Sequence, residues 1–228
     1  MDFTHTEVWG FEHALRGMRN PLNSWEKSDS YCDELGNCII GENDMGLATR
    51  LIKGGSEHRK FLRQIIVSVD ITAPLFYWKE FDTYKVGTTA NSTSTMHKLL
   101  SKPIDKDCFE MDDFADLPLK EYQTVESVLE NSLLPFLEQL RQLSISAAEH
   151  DLAYSNKAYW KELVRWLPES WLQTRTITMN YENVLNMYHQ RKNHKLKEWH
   201  TFCDWALEEL PYFVEFAQAA GESVEFTK

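Results

Sequence analysis

The chain has no long uncharged apolar run and few cysteines. No stretch of its 228 residues approaches the about 18 to 20 consecutive apolar residues that a membrane-spanning helix needs. The first residues include no basic region followed by an apolar segment, which a secretion signal would show. We therefore predict a cytoplasmic protein that makes no membrane contact.

Cysteine and histidine are placed unfavourably for a metal site. The cysteines are Cys32, Cys38, Cys108 and Cys203. They are too few for a disulfide scaffold, and Cys32 and Cys38 have no second pair that could complete a tetrahedral zinc site. His189, His194 and His200 are five and six residues apart, which places them on different faces of a helix. We predict ordinary thiols and no bound metal.

Basic charge is also scarce. The 24 lysines and arginines are outnumbered by 35 acidic residues, so the formal net charge is −11. Proteins that bind polymeric nucleic acid need clustered cations to displace counterions, so we exclude a nucleic-acid partner and expect any bound nucleotide to be small. An apolar fraction of 43% predicts a globular chain with a large core. Repeats and flexible linkers are absent, which predicts a single domain over residues 1–228.

The common short catalytic motifs are missing. The sequence contains no G-x-G-x-x-G, G-x-x-x-x-G-K-[ST], H-E-x-x-H or G-x-S-x-G, which argues against dinucleotide-binding, P-loop, zinc-protease and serine-hydrolase folds. One unusual segment remains, 88–95, where six of eight residues carry hydroxyl groups. Hydroxyl and backbone N–H donors in such a loop could hold a phosphate, and a capped surface loop is the alternative interpretation.

Residue periodicity predicts a mixed fold. Val67, Val69 and Ile71 alternate with polar residues, which is typical of a strand, and Pro74 suits the first turn of an aromatic helix that ends near 85–87. Asp44 is predicted to cap a helix that ends at Gly54. The other predicted elements are helices over 125–150, 159–166 and 199–210, a strand over 171–179, and a helix capped by Asn180. Long helices mixed with few strands predict an α+β domain.

Two segments suggest a family. The string from Gln64 to Phe76, Gln-Ile-Ile-Val-Ser-Val-Asp-Ile-Thr-Ala-Pro-Leu-Phe, resembles the flavin-dependent thymidylate synthases, in which a strand, Ala-Pro and a helix precede Arg-His-Arg, seven residues and Ser. The Arg-His-Arg signature falls here on Thr83-Tyr84-Lys85, and the serine on Thr93. Leu167-Pro168, eleven residues and Asn180, followed by Asn186 and Arg191, resembles the second flavin and substrate segment of the family. The resemblance covers roughly residues 55–100 and 160–210.

The resemblance implies an α+β thymidylate-synthase-like fold with a central sheet and long helices. It also implies FAD as cofactor, a pyrimidine deoxynucleotide similar to dUMP as substrate, and a homotetramer, because flavin and nucleotide lie between subunits in that family. The site residues that the resemblance implies are Arg191, Thr93 and His58 for catalysis, Lys85, Asn180 and Asn186 for the cofactor, and Thr95 at the position that meets the nucleotide phosphate. The hydroxyl-rich loop itself predicts substrate contacts from Thr88, Thr89, Ser92 and Thr95, whose neutral donors could replace guanidinium contacts. Only Lys85 keeps a signature cation, and a threonine cannot replace the bidentate guanidinium clamp.

Three functions are compatible with this pattern. The first is a divergent enzyme acting on a pyrimidine deoxynucleotide without standard thymidylate synthase activity, and the second is a non-catalytic protein that binds or sequesters a nucleotide on the same scaffold. A purely structural oligomer explains the lost cations but not the retained Asn180, Asn186 and Arg191. Individual residues also have simpler explanations: Asn180 as a helix cap, His58 as a surface residue, and the aromatic helix as core or subunit interface.

Overall fold

The computed structural model describes residues 1–34, 37–111 and 116–226, without the side chains of residues 95 and 96. The strands are β1 (Asp2–Trp9), β2 (Tyr31–Cys32), β3 (Cys38–Ile39), β4 (Ile66–Pro74), β5 (Thr89–Ser92), β6 (Pro118–Lys120), β7 (Gln123–Thr124) and β8 (Leu172–Asn180). The α-helices are α1 (Phe11–Arg19), α2 (Glu42–Lys53), α3 (Leu75–Phe81), α4 (Thr95–Lys98), α5 (Val125–Val128), α6 (Leu134–Glu149), α7 (Ala153–Trp166), α8 (Tyr181–Arg191), α9 (Lys197–Glu209) and α10 (Phe213–Ala219). This mixture confirms the predicted α+β class.

A four-stranded sheet with the order β1-β4-β8-β5 contains both strands that the sequence predicts. Val67, Val69 and Ile71 on β4 are at most 1% exposed, so the alternating pattern marks the face that is buried. The predicted loop over 88–95 is wrong for Thr89–Ser92, which form the edge strand β5. All four residues of β5 are exposed, and a strand with no buried face leaves no alternating hydrophobic pattern to detect.

The chain divides into two compact units. Unit 1 comprises Met1, Thr72–Phe81 and Ser92–Arg175, and unit 2 comprises Asp2–Ile71, Asp82–Asn91 and Thr176–Lys228. The single domain over residues 1–228 stays a prediction. None of the helices among the described residues is both long enough and apolar enough to cross a bilayer.

Unit 1 contains the helices α6 and α7, which pack against each other, and the aromatic helix α3. Its core cluster is formed by Leu99, Ile104, Phe109, Leu129, Leu137, Leu140 and Leu163. Tyr77, Trp78 and Phe81 on α3 are at most 3% exposed, and the Trp78 indole N–H donates to the carbonyls of Ala73 and Gln173 at 3.0 and 2.9 Å. The aromatic helix is therefore core, and it ends at Phe81, earlier than the predicted end near 85–87.

Unit 2 holds a segment whose polar contacts the sequence did not reveal. Asp44 was predicted to cap α2, but the helix begins two residues earlier and Asp44 is fully buried beside Arg19. A buried carboxylate needs hydrogen-bond donors, and Ser28 and Ser30 supply them at 2.6 Å each. Asp29 instead accepts from the backbone N–H groups of the first turn of α2.

The hairpin of β2 and β3 carries a disulfide between Cys32 and Cys38. The prediction of four ordinary thiols is therefore wrong for this pair, because the antiparallel register places the two cysteines directly opposite each other. Cys108 and Cys203 are free thiols, as predicted.

Candidate functional site

A cleft of about 720 Å³ opens on unit 2. It is lined by Ser56, Arg59, Arg63, Thr83, Tyr84, Lys85, Val86, Gly87, Asn180, Glu182, Asn183, Asn186 and Gln190. Its volume falls within the range of about 300 to 1,000 Å³ that is typical of small-molecule sites. One wall is a face of α8 from its cap Asn180 to Gln190, and another is the turn over 83–87.

The N-terminus of α8 is capped as the sequence predicts. The Asn180 side chain accepts from the backbone N–H of Asn183 at 3.0 Å, and the Asn183 side chain accepts from the backbone N–H of Asn180 at 3.2 Å. This reciprocal capping box satisfies two backbone donors at the helix start. Asn180 is thereby held at the mouth of the cleft in a fixed orientation.

The turn over 83–87 is docked onto this helix start. Asn183 donates through Nδ2 to the carbonyl of Val86 at 2.8 Å, and the hydroxyl of Thr88 donates to the carbonyl of Tyr84. Gly87 has a φ of +80°, and a Cβ there would lie 2.8 Å from the Asn183 side-chain oxygen. Only glycine therefore permits both the left-handed conformation and this close approach.

Positive charge is concentrated at the cleft. Arg59, Arg63 and Lys85 line it together with one carboxylate, that of Glu182, although the whole chain carries a net charge of −11. Arg59 binds Glu182 in a bidentate manner, with Nε and Nη2 at 3.0 Å, and its Nη2 also lies 3.4 Å from Oδ1 of Asn186. Glu182 thus neutralises and orients Arg59. Arg63 and Lys85 are exposed, and they give the cleft its excess positive charge.

Tyr84 and Arg191 form a linked group behind the turn. Arg191 donates through Nε to the Tyr84 hydroxyl at 2.9 Å, and that hydroxyl donates to Oε1 of Gln190 at 2.9 Å. The Arg191 guanidinium lies 4.7 Å from the ring centroid of Trp199, which is fully buried. The Tyr84 and Trp199 rings meet edge to face at 5.9 Å. Arg191 is not among the described residues that line the cleft.

The predicted site residues in unit 2 fall into two sets. The three predicted cofactor residues, Lys85, Asn180 and Asn186, all line the same cleft. The others lie outside its lining: Arg191 contacts Tyr84, Thr88 closes the turn, Thr89 is exposed on β5, and His58 is exposed with its ring against Gly54.

The remaining predicted residues lie in unit 1. Ser92 is exposed at the end of β5, and the side chain of Thr95 lies outside the described residues. Thr93 donates through its backbone N–H to the Thr174 carbonyl at 2.9 Å. It lines a second cleft, of about 410 Å³, with Thr72, Ser94, Lys98, Leu99, Ser101, Lys102, Pro103, Asp107, Cys108, Trp171, Leu172 and Thr174. Burial raises the pKa of the Cys108 thiol, which favours the neutral thiol over the nucleophilic thiolate.

The sequence patterns did not single out Arg59, Arg63 or Glu182. A signal was present, because Arg59, Lys60 and Arg63 form a basic cluster in an acidic chain just before the strand β4. Their convergence with Lys85 and α8 depends on contacts more than a hundred residues apart in sequence, such as the pair Arg59 and Glu182. Within the described part of the chain, no group of three or more His, Cys, Asp or Glu side chains could hold a metal ion.

Comparison with known proteins assigns the fold. No protein-family model and no curated protein sequence matches the chain. The fold is that of the flavin-dependent thymidylate synthases. The crystal structure of flavin-dependent thymidylate synthase ThyX from Helicobacter pylori complexed with FAD and dUMP matches with a TM-score of 0.62 and 20% identity, over 96% of this chain and 99% of that one. A second crystal structure of Thymidylate Synthase X from Helicobacter pylori, with FAD and dUMP, matches with a TM-score of 0.60 and 20% identity, over 97% and 100%.

Proposed function

We propose that this protein binds a pyrimidine deoxynucleotide similar to dUMP and a flavin nucleotide, without standard thymidylate synthase activity. The observation that carries the proposal is the cleft of unit 2, where Arg59, Arg63 and Lys85 surround the start of α8 in a fold shared with proteins crystallised with FAD and dUMP. Both ligands are anions that carry phosphate groups, and both contain a planar ring.

The electrostatics of the cleft support an anionic ligand. The first turn of α8 adds the positive end of a helix dipole to the charges of Arg63 and Lys85. A charge-assisted hydrogen bond contributes about 1.5 to 3 kcal/mol net. Two such bonds would supply about 3 to 6 kcal/mol. Micromolar binding needs about 8 kcal/mol, so contacts with the ring would have to supply the rest.

The residues present fit the phosphate portion of FAD. Arg63 and Lys85 offer guanidinium and ammonium donors for a diphosphate, and Asn180 and Asn186 offer amide groups at the same cleft. When bound, a flavin supplies hydride transfer. The chain's own part is to bind the diphosphate and orient the ring, and it does so with cations outside the signature positions Thr83 and Tyr84.

Replacement of the signature supports loss of the standard activity. Thr83 and Tyr84 stand where the resemblance implies arginine and histidine, and the Tyr84 hydroxyl already binds Gln190 and Arg191. A non-catalytic nucleotide-binding or sequestering protein is therefore the second candidate. The absorbance of the purified protein at flavin wavelengths, before and after addition of FAD, distinguishes the two candidates. Bound flavin would favour the first candidate, and absence of bound flavin would favour the second.

Calorimetry with FAD and with dUMP tests the proposed site. Arg63→Ala and Lys85→Ala should each weaken binding roughly tenfold to a hundredfold, because each removes one charge-assisted bond. Arg50→Ala is the matched control, since Arg50 is an exposed arginine on α2 that does not line the cleft. Equal affinity of all three variants would show that the ligand binds elsewhere. If neither FAD nor dUMP binds the parent protein at millimolar concentration, the purely structural alternative is favoured.

A genetic assay tests the loss of standard activity. Expression of this protein in a strain that lacks thymidylate synthase should leave the strain dependent on added thymidine. Robust growth without thymidine would contradict the proposal.

We also propose a cytoplasmic homotetramer, in which the nucleotide binds at a subunit interface. The support is the shared fold together with the oligomer that the resemblance implies. Light scattering at micromolar protein concentration should report four subunits, and a monomer would contradict this part of the proposal.

A further inference from the structure

Arg191 is expected to act on a substrate, but its contacts give it another role. Its Nε donates to the hydroxyl of Tyr84, and its guanidinium lies 4.7 Å from the Trp199 ring centroid and 5.6 Å from that of Tyr84. Trp199 is fully buried in the core of unit 2, so the guanidinium is held against a rigid surface. A planar guanidinium that is stacked and hydrogen-bonded in this way has little freedom to turn toward a ligand.

Tyr84 is the point at which this group reaches the cleft. It lines the cleft, it meets Trp199 edge to face, and its hydroxyl is held from two sides by Gln190 and Arg191. A tyrosine hydroxyl that both donates and accepts fixes the orientation of its ring. The Tyr84 ring is therefore a pre-positioned wall of the cleft, and Arg191 is one of the residues that set its orientation.

We propose that Arg191 is a positioning residue that acts on the bound ligand through Tyr84, whose ring it holds in a fixed orientation in the wall of the cleft. The proposal rests on the proposed function, because it concerns the ligand of the same cleft. It replaces the direct catalytic role that the resemblance implies for Arg191. It also accounts for a tyrosine in the second signature position, where its hydroxyl binds the arginine.

A double-mutant cycle measures whether Arg191 acts through Tyr84. Tyr84→Phe keeps the ring and removes the hydroxyl, and Arg191→Met removes the guanidinium at similar length. In calorimetry with FAD, Arg191→Met should weaken binding by about five- to tenfold, the ratio that corresponds to one net hydrogen bond. Tyr84→Phe also loses the bond to Gln190, so it should weaken binding by at least as much. The double variant should bind no more weakly than the weaker single variant, because the link is already broken.

Multiplication of the two effects in the double variant would overturn the proposal, since it would mean that Arg191 contacts the ligand independently. Arg191→Lys adds a second criterion. It keeps the charge but loses the planar donor, so it should bind FAD as weakly as Arg191→Met. Full affinity in Arg191→Lys would show that charge alone matters, and would also overturn the proposal.

Hydrogen exchange of the ligand-free protein separates this proposal from the proposed function. Tyr84→Phe and Arg191→Met should each speed exchange of the backbone amides over 84–88, and the double variant should show no further increase. Lys192→Met is the matched control, because Lys192 is the next residue and binds Ser223 and Glu222. Unchanged exchange over 84–88 in both single variants overturns the proposal. If FAD and dUMP fail to bind the parent, the proposed function fails, and the exchange result still decides whether Arg191 positions Tyr84.

Discussion

The buried ion pair of Arg19 and Asp44 offers a sharp test of the energetics of unit 2. Asp44 is 0% exposed and Arg19 is 4% exposed, with Nε of Arg19 donating to Oδ1 of Asp44 at 2.5 Å. The other carboxylate oxygen accepts from the hydroxyls of Ser28 and Ser30 at 2.6 Å each. Asp44→Asn keeps the size of the side chain, removes its charge and leaves the guanidinium buried without a counter-ion.

The structure indicates the size of the loss. Removing one partner of a buried pair costs about 3 to 5 kcal/mol, because the remaining charge is uncompensated. Asp44→Asn should fall near the lower limit, about 3 kcal/mol, since the amide oxygen still accepts a hydrogen bond and Arg19 still donates to the carbonyls of Ser24 and Lys27. Glu209→Gln is the matched control in unit 2. Its carboxylate accepts from Thr6 at 2.6 Å but is exposed, so the change should be within about 0.5 kcal/mol.

Urea unfolding at two pH values is the assay. Burial raises the pKa of Asp44, but hydrogen bonds from Ser28, Ser30 and Arg19 outweigh it and lower the pKa below its ordinary value. A carboxyl group with a lowered folded-state pKa stabilises the protein above its unfolded pKa of about 3.9, and that stabilisation is lost as the pH falls through the folded value. The difference between parent and Asp44→Asn should therefore be full at pH 7 and smaller at pH 3. A difference below about 1 kcal/mol at pH 7, or one that is unchanged at pH 3, would refute this reasoning.

Two further predictions concern the turn at the cleft and the acid sensitivity of unit 1. Gly87→Ala should reduce FAD affinity in calorimetry more than Gly55→Ala does. Both glycines have a positive φ, but the Cβ added at Gly87 would lie 2.8 Å from the Asn183 side-chain oxygen, whereas the Cβ added at Gly55 would have nothing within 4 Å. Equal affinities would contradict the docking of the turn. Hydrogen bonds from Arg141 lower the pKa of Glu138 from 4.5 to about 2, so the stabilisation is present above pH 4.5 and is lost as the pH falls toward 2. Urea unfolding followed by circular dichroism at a series of pH values should show Glu138→Gln to be less stable than the parent at pH 7 and increasingly similar to it below pH 4.5. A constant difference would argue against the assignment.

Local sequence patterns determined the elements whose signals lie within a few residues. The alternation at Val67, Val69 and Ile71 predicted β4, and Asn180 predicted the start of α8. The helix α7 ends at Trp166, before Pro168, as expected for a residue that disfavours helical backbone. These predictions succeeded because period, capping and proline geometry act on the backbone locally. The thymidylate-synthase-like fold was also predicted, from two segments that keep the order and spacing of a known family.

Packing between elements that are distant in sequence selects which charged side chains meet. Asp44 is of a residue type that favours helix N-caps, but it is buried beside Arg19 and forms an ion pair with it. Arg191 stands at the sequence position where the resemblance implies a substrate-binding arginine. In the structure its guanidinium instead binds the Tyr84 hydroxyl and stacks on the Trp199 ring. An arginine side chain is long and carries several hydrogen-bond donors, so it can bind many different partners. Which partner it binds depends on which helices and strands pack together. No local pattern encodes that choice, so the sequence determined the scaffold while packing determined the chemistry of the cleft.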